Sequence, residues 1–437
     1  MNTSSLIGHV LQLLEHIDGE NQPADRLTGD FFRSKKYLGQ RDRRFISDTV
    51  YGMIRHRRLI KALLREFILE NPGNVVLEGP HVRYLAQYAV FAITAENKSI
   101  VPPLLWKTHF PRIDPGHFAG WMEKNLSLDF VKDNEITRLA IRYSFQDWMV
   151  KDLNDALGEE TERLLSALNT PAPTVLRVNT FKASREECQT RLRAEGIETE
   201  KTNYSPCGLK ASKRFNMQSL KTFQDGFFEM QDEGSQIISM LAGLKPGDTV
   251  IDACAGAGGK SLHMSALMQN KGEIIAVDIT GSRLYELGKR AQRAGVNIIK
   301  TIQQNKLLPE NFRSKADLVL VDAPCSGVGT IRRNPGLKWS ITESLVQHYA
   351  EKQKQILEFN SGFVKPGGKL VYATCSLLKQ ENEMVVKSFL DSHDNFHLTL
   401  PSVQLDSLGI KIDQPLITLY PNRFDTDGFF IAVMRRD

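Results

Sequence analysis

From about Asp232 onward, short apolar runs alternate with helical segments, and this constrains the fold more than anything else in the 437-residue chain. The runs are Thr249–Ala253, Glu273–Asp278, Ile298–Gln303, Asp317–Asp322 and Lys369–Thr374, with Gly428–Arg435 as a final strand. Strands that are apolar throughout are buried on both faces, and intervening helices supply the crossovers that parallel strands require. The pattern predicts a doubly wound, Rossmann-like α/β sheet, whose ligands bind beyond the carboxyl ends of the strands.

Those ends carry the chemistry. The first is Asp252-Ala-Cys-Ala-Gly-Ala-Gly-Gly-Lys260, followed by a helix from about Ser261. Its glycines let a ligand approach the backbone and aim helix N-terminal amides at it. The second strand ends in Asp278, about twenty residues on, where an acid takes the hydroxyls of a ribose. A glycine turn can equally be a tight packing turn. Two nucleotide folds fail on register: a P-loop needs glycine where Cys254 stands, and a GxGxxG fingerprint from Gly256 needs glycine where Ser261 stands. What remains fits a nucleoside without a polyphosphate, such as S-adenosyl-L-methionine. The contacts expected for it are Cys254, Ala255, Gly256, Ala257, Gly258, Gly259, Lys260 and Asp278.

The fourth strand ends Asp322-Ala-Pro-Cys325-Ser, and the fifth ends Ala373-Thr-Cys375-Ser376. A single buried cysteine is usually a small inert hydrophobe. Two of them at neighbouring strand ends, beside a nucleoside site, point to chemistry. The five cysteines form no CxxC pair and no framework, which argues for a reducing cytosol, and no histidine lies near either strand-end cysteine to suggest a metal. No apolar run approaches the ~18 residues of a membrane span, and the first twenty residues lack signal-peptide features.

The N-terminal part reads as helix. Leu6, Val10, Leu13, Leu14 and Ile17 recur at helical spacing, as do Ile60, Leu63, Leu64, Phe67 and Ile68, and a third helix is expected around Val82–Phe91. Basic residues crowd Arg33–Lys61, with Arg41, Arg43 and Arg44 at the centre and Tyr37, Phe45 and Tyr51 among them. A solvated helix face is the bland interpretation; the excess of arginine favours RNA phosphate. Arg332 and Arg333, just after Cys325, are read as holding flanking phosphates. The four-proline stretch Asn97–Pro115 is read as a long connection between helices. A small α+β module begins near Thr170, with a strand at Thr174–Val178 and a helix opened by Ser184 and Glu187.

The loop Asp252–Lys260, Asp322–Gly327 (DAPCSG) and Ala373–Ser376 (ATCS) resemble RNA cytosine-5 methyltransferases of the Sun/Fmu type. So do Leu176-Arg-Val-Asn179, Gln231–Gln236, Lys365-Pro-Gly-Gly368 and Thr426-Asp-Gly-Phe-Phe430. Through Arg41–Arg44 and Val50–Arg55, the N-terminal part resembles the NusB-type RNA-binding domain of some bacterial members. The resemblance implies a NusB-like helical domain over 1–145, then linker helices and a small α+β RNA-binding module over 146–231. Over 232–437 it implies a methyltransferase domain with a mostly parallel seven-stranded sheet. It makes Cys375 the nucleophile, assigns product release to Cys325, and places Asp322 at the cofactor and target base. Where the family has AAPGGK this chain has Ala255-Gly-Ala-Gly-Gly-Lys260, and the usual Asp near the adenine is replaced by Gln304-Asn305, with Asn305 as the contact. The implied activity is S-adenosylmethionine-dependent methylation of cytosine C5 in RNA, 16S rRNA before others, by a cytoplasmic monomer with no metal. A tRNA substrate and an RNA-binding assembly factor with vestigial catalysis stand as alternatives.

Overall fold

The structure is a computed structural model describing residues 1–20, 22–73, 77–94, 101–307, 309–401 and 414–437. It divides into two units, Met1–Asn169 with Arg333–Ile341, and Thr170–Arg332 with Thr342–Asp437.

The first unit is helical. Helices Thr3–Gly19, Gln40–Arg55, Arg57–Glu70 and Gly79–Thr94 turn their apolar stripes onto one core, in which Val10, Leu13, Val50, Leu63, Phe67 and Phe91 are buried. Asn2 opens the first helix by accepting the Ser5 amide at 2.8 Å, which satisfies one of its free donors. The proline-rich stretch departs from expectation. Residues 97–100 lie outside the described residues, but Pro103–His109 is a helix whose proline sits in the first turn, where no amide donor is needed. Helices continue past residue 145 to Leu168.

Residues 333–341 complete this unit. The Lys338 ammonium is buried, donating to Arg55 O and Tyr143 O at 3.0 Å each and to Asn169 Oδ1, and it lies 3.9 Å from the centre of the Phe145 ring. Trp339 Nε1 donates to Ile54 O at 2.9 Å.

The second unit holds two sheets. In the smaller, β1 (Thr174–Val178), β2 (Thr199–Lys201), β3 (Gly208–Ala211) and β4 (Phe228–Met230) form an antiparallel sheet in the order β2-β3-β1-β4. Ser184 caps the helix Arg185–Ala194 by accepting the Glu187 amide at 3.1 Å.

The larger sheet contains β5 (Thr249–Asp252), β6 (Glu273–Asp278), β7 (Ile299–Gln303), β8 (Ala316–Asp322), β9 (Val364–Thr374), β10 (Phe396–Leu398), β11 (Leu416–Leu419) and β12 (Phe429–Arg436). Its order is β10-β12-β9-β8-β5-β6-β7, with β11 also on β12. The strands β7, β6, β5, β8 and β9 pair in parallel, whereas β12 is antiparallel to β9. This corrects the seven-stranded expectation: the sheet is mixed and has eight strands among the described residues. One edge of β12 pairs with β9, while β11 takes residues 429–432 of the other edge and β10 takes 434–436. Strands of three or four residues leave no periodicity to detect. Among the described residues, no helix is long and apolar enough to cross a membrane.

Candidate active site

The ends of β5, β6, β8 and β9 form one rim. After Asp252 the chain turns into the helix Gly259–Leu267. Gly258 adopts φ 85°, and a Cβ there would lie 2.4 Å from Leu287 Cγ, so glycine alone fits this turn. The motif residue Arg177 reaches in from β1, donating to Gly259 O at 2.7 Å and to Gln231 Oε1. The Asp278 carboxylate accepts the Gly256 amide on Oδ2 at 2.9 Å and the Thr280 amide on Oδ1 at 2.7 Å. A carboxylate has about four acceptor positions, so room remains for hydroxyl donors.

Beside it lies a cavity of about 510 Å³ lined by Cys254–Gly256, Asp278, Asp322 and, on its apolar side, Ile279, Leu307 and Phe359. Polar ends and an apolar wall suit a nucleoside, so the residues present fit S-adenosyl-L-methionine. Of the contacts expected from sequence, Ala257, Gly258, Gly259 and Lys260 belong to the same turn without lining the cavity. Asn305 is exposed and does not line it; its neighbour Gln304 does, as do Arg283 and Lys352, which no motif in the sequence marks out.

Asp252 lies fully within the protein. Burial pushes its carboxyl up to about 7, against the Ser261 hydroxyl that donates to Oδ2 at 2.6 Å, and the charge of Asp322 adds to the rise. Lys260 Nζ pairs with Asp322 Oδ2 at 2.6 Å. Burial opposes that ammonium, but the Asp322 carboxylate and then the nearby Cys375 outweigh it and hold the pKa above the usual lysine value.

The two cysteines meet: Cys325 Sγ and Cys375 Sγ are 3.3 Å apart. The hydrogen bond with Cys375, followed by burial and by the charges of Cys375 and Glu381, pushes the Cys325 thiol well above its ordinary range. These effects all favour the neutral thiol of Cys325. The backbone behind the pair is close-packed. A Cβ on Gly329 would lie 2.1 Å from Gly428 O and 2.8 Å from Cys375 O, which accounts for glycine in both the DAPCSGVG and TDGFF segments.

Not every basic residue lies where phosphate could reach it. Arg332 is only 6% exposed and pairs with Asp425 at 2.9 Å while donating to Thr426 O and Pro171 O, which corrects its assignment to phosphate. Arg333 is exposed. Arg41 and Arg44 are exposed, Arg44 pairing with Asp48 at 3.4 Å. Arg43 is half-buried over the Phe32 ring, and its Nε donates to Leu38 O at 2.9 Å.

A mixed sheet with five parallel strands, a glycine turn, an acid at the next strand end and a nucleoside-sized cavity between them has the form of a Rossmann-like methyltransferase. Residues 239–435 match the 16S rRNA methyltransferase RsmB/F family, and residues 145–218 match the RsmF/B-like ferredoxin-like domain. The chain is 36% identical over 455 residues to the probable ribosomal RNA small subunit methyltransferase B of Bacillus subtilis (strain 168), with 100% of each covered. Its fold matches the crystal structure of PH0851 with TM-score 0.77 and 26% identity, over 100% of this chain and 99% of that one. A methyltransferase homolog from Pyrococcus horikoshii matches with TM-score 0.60 and 29% identity, over 70% of this chain and 100% of that one. The chain belongs to the RsmB/F family and is an S-adenosyl-L-methionine-dependent methyltransferase.

Proposed function

We propose that the protein methylates C5 of a cytosine in 16S rRNA through a covalent bond between Cys375 and C6 of the base. The observation that carries this reading is the pair of cysteine sulfurs 3.3 Å apart just beyond the ends of β8 and β9; neither lines the nucleoside cavity, but Asp322 and Pro324, which lead into Cys325, do. C5 of cytosine is a poor nucleophile. Addition of the Cys375 thiolate to C6 places an enamine electron pair on C5, which splits one hard step into two easier ones. Bound S-adenosyl-L-methionine supplies the electrophilic methyl group. Water then takes the C5 proton, and the C–H electron pair re-forms the C5–C6 double bond. The C6–S bond breaks with its electron pair on the Cys375 sulfur, to which the Cys325 thiol donates a hydrogen bond. Cys325, protonated and in contact with the departing sulfur, serves this last step. Lys260 and Asp322 hold opposite charges beside the pair and fix the floor on which the base lies.

Inside a stacked helix the two carbons are inaccessible, so the target is single-stranded or flipped out. The helical unit, read as NusB-like, and the small antiparallel module grip the flanking RNA in the bacterial cytoplasm. The family description and the relative from Bacillus subtilis support small-subunit rRNA over tRNA. The juxtaposed cysteines speak against an assembly factor with vestigial catalysis.

Bisulfite sequencing of total RNA from a strain lacking the protein tests this. A 16S cytosine should lose its mark and regain it on complementation with the wild-type chain but not with Cys375→Ala. A lost mark confined to tRNA would move the substrate there, and unchanged marks throughout would overturn the reading.

A further inference from the structure

Glu381 lies in the turn after β9 and is completely buried. Its carboxylate collects four donors. Oε1 accepts the Ser326 amide at 2.7 Å and Gln353 Nε2 at 3.2 Å; Oε2 accepts the Ser326 hydroxyl and, at 2.5 Å, the Ser376 hydroxyl. Four donors saturate a carboxylate. Ser326 follows Cys325, and Ser376 follows Cys375. The two loops come from different strands, and the serine hydroxyls are themselves 3.3 Å apart. The surroundings hold the clamp: Tyr372 OH donates to Glu381 O at 2.6 Å, Asn382 Nδ2 donates to Ser376 O at 3.0 Å, and Gln353 Nε2 also donates to Pro324 O at 2.9 Å. Glu381 does not line the nucleoside cavity.

We propose that Glu381 is a positioning residue that sets the spacing of the Cys325 and Cys375 sulfurs by holding both following serines on one carboxylate. The inference rests on the two-cysteine mechanism proposed above and deepens it. A carboxylate is suited to this because it accepts at every position. An amide of the same size presents N–H where two hydroxyls now donate, so both hydroxyls must rotate to accept, and the two loops lose the charged acceptor they share. The charge of Glu381 also contributes to keeping Cys325 protonated, after the larger effects of Cys375 and burial.

The test reads the spacing directly, without RNA. Diamide takes two electrons and two protons from a thiol pair, leaving a disulfide and a hydrazine, and the rate depends on how closely the sulfurs are held. In the wild-type chain Cys325 and Cys375 should crosslink rapidly, identified by peptide mass and abolished by Cys325→Ser. Glu381→Gln should slow that crosslink about tenfold or more, as expected when an effectively intramolecular pair loses its alignment. The same variant should lower kcat about 100-fold, with KM for RNA and for S-adenosyl-L-methionine within about twofold, since ångström-scale misplacement falls on the chemical step. Ser376→Ala and Ser326→Ala should shift both readouts in the same direction, and they carry the test if Glu381→Gln fails to fold. A folded Glu381→Gln chain that crosslinks at the wild-type rate overturns the proposal, whatever its activity. Slowed crosslinking in a chain whose wild type makes no 5-methylcytosine leaves Glu381 as the brace and removes the methylation chemistry instead.

Discussion

Cys325 and Cys375 are chemically alike and 3.3 Å apart, yet their proposed roles differ in kind. Cys375→Ala removes the attacking sulfur, so it should be inactive and never attach to RNA. Cys325→Ala leaves attack and methyl transfer possible but impairs release, so an enzyme–RNA adduct should survive denaturing electrophoresis and vanish on RNase treatment. The double variant should show none; an adduct in Cys375→Ala alone would exchange the roles. The cofactor acid is tested separately. Asp278→Ala should weaken S-adenosyl-L-methionine by about 1.5–3 kcal/mol, the range for hydrogen bonds to a charged group, and calorimetry showing unchanged affinity would remove Asp278 from the ribose. Asn305→Asp, by contrast, should leave affinity unchanged, because that side chain lies outside the cavity. The cysteines and Asp278 could be read from sequence because each ends an apolar run, and a parallel sheet gathers its strand ends on one rim. Glu381 could not, because its partners Ser326 and Gln353 come from other elements, 55 and 28 positions away. The one available signal was the Cys-Ser pair repeated at two strand ends.

At the scale of elements, long apolar strands announced themselves, and the three- and four-residue β10 and β11 did not. The segment Arg333–Ile341 was illegible for a different reason. It has no periodic pattern, and only its Arg333 stands out in the sequence, as a phosphate contact, whereas its Lys338 is completely buried and belongs to the helical unit. An ammonium has three donors, and here they meet three uncharged oxygens, so its hydrogen bonds are satisfied although burial and then the charge of Arg55 pull its pKa well below the usual lysine value. Lys338→Met should therefore destabilise that unit by at least ~2 kcal/mol, since each abandoned buried acceptor costs about 1–3 kcal/mol. The measurement is selective: all four tryptophans, Trp106, Trp121, Trp148 and Trp339, fall within Met1–Asn169 or Arg333–Ile341. Urea unfolding followed by tryptophan fluorescence thus reports the helical unit, and a midpoint equal to wild type would show that the lysine cage contributes nothing.

The net charge of the whole chain is only +5, too small to say by itself that the protein binds RNA. What matters is where the charge stands and whether it is already engaged. Arg332 is spent on Asp425, and Arg43 on Leu38 O and the Phe32 ring, while Arg41 and Arg44 project from the helix Gln40–Arg55. The pairing of Arg44 with Asp48 is an exposed i,i+4 contact, weak enough to be exchanged for a phosphate. The helix should then bind RNA through Arg41 and Arg44, with Arg43 serving the fold. Each single-strand phosphate contact contributes about 0.7 to the slope of log affinity against log salt, so Arg41→Ala with Arg44→Ala should flatten it by about 1.4. S-adenosyl-L-methionine affinity should not change. Arg43→Ala should lower thermal stability and leave the slope near wild type. A slope untouched by the double substitution would make this helix a solvated face and move RNA recognition elsewhere in the molecule, whereas equal effects of all three arginines would mean that Arg43 leaves Phe32 when RNA binds.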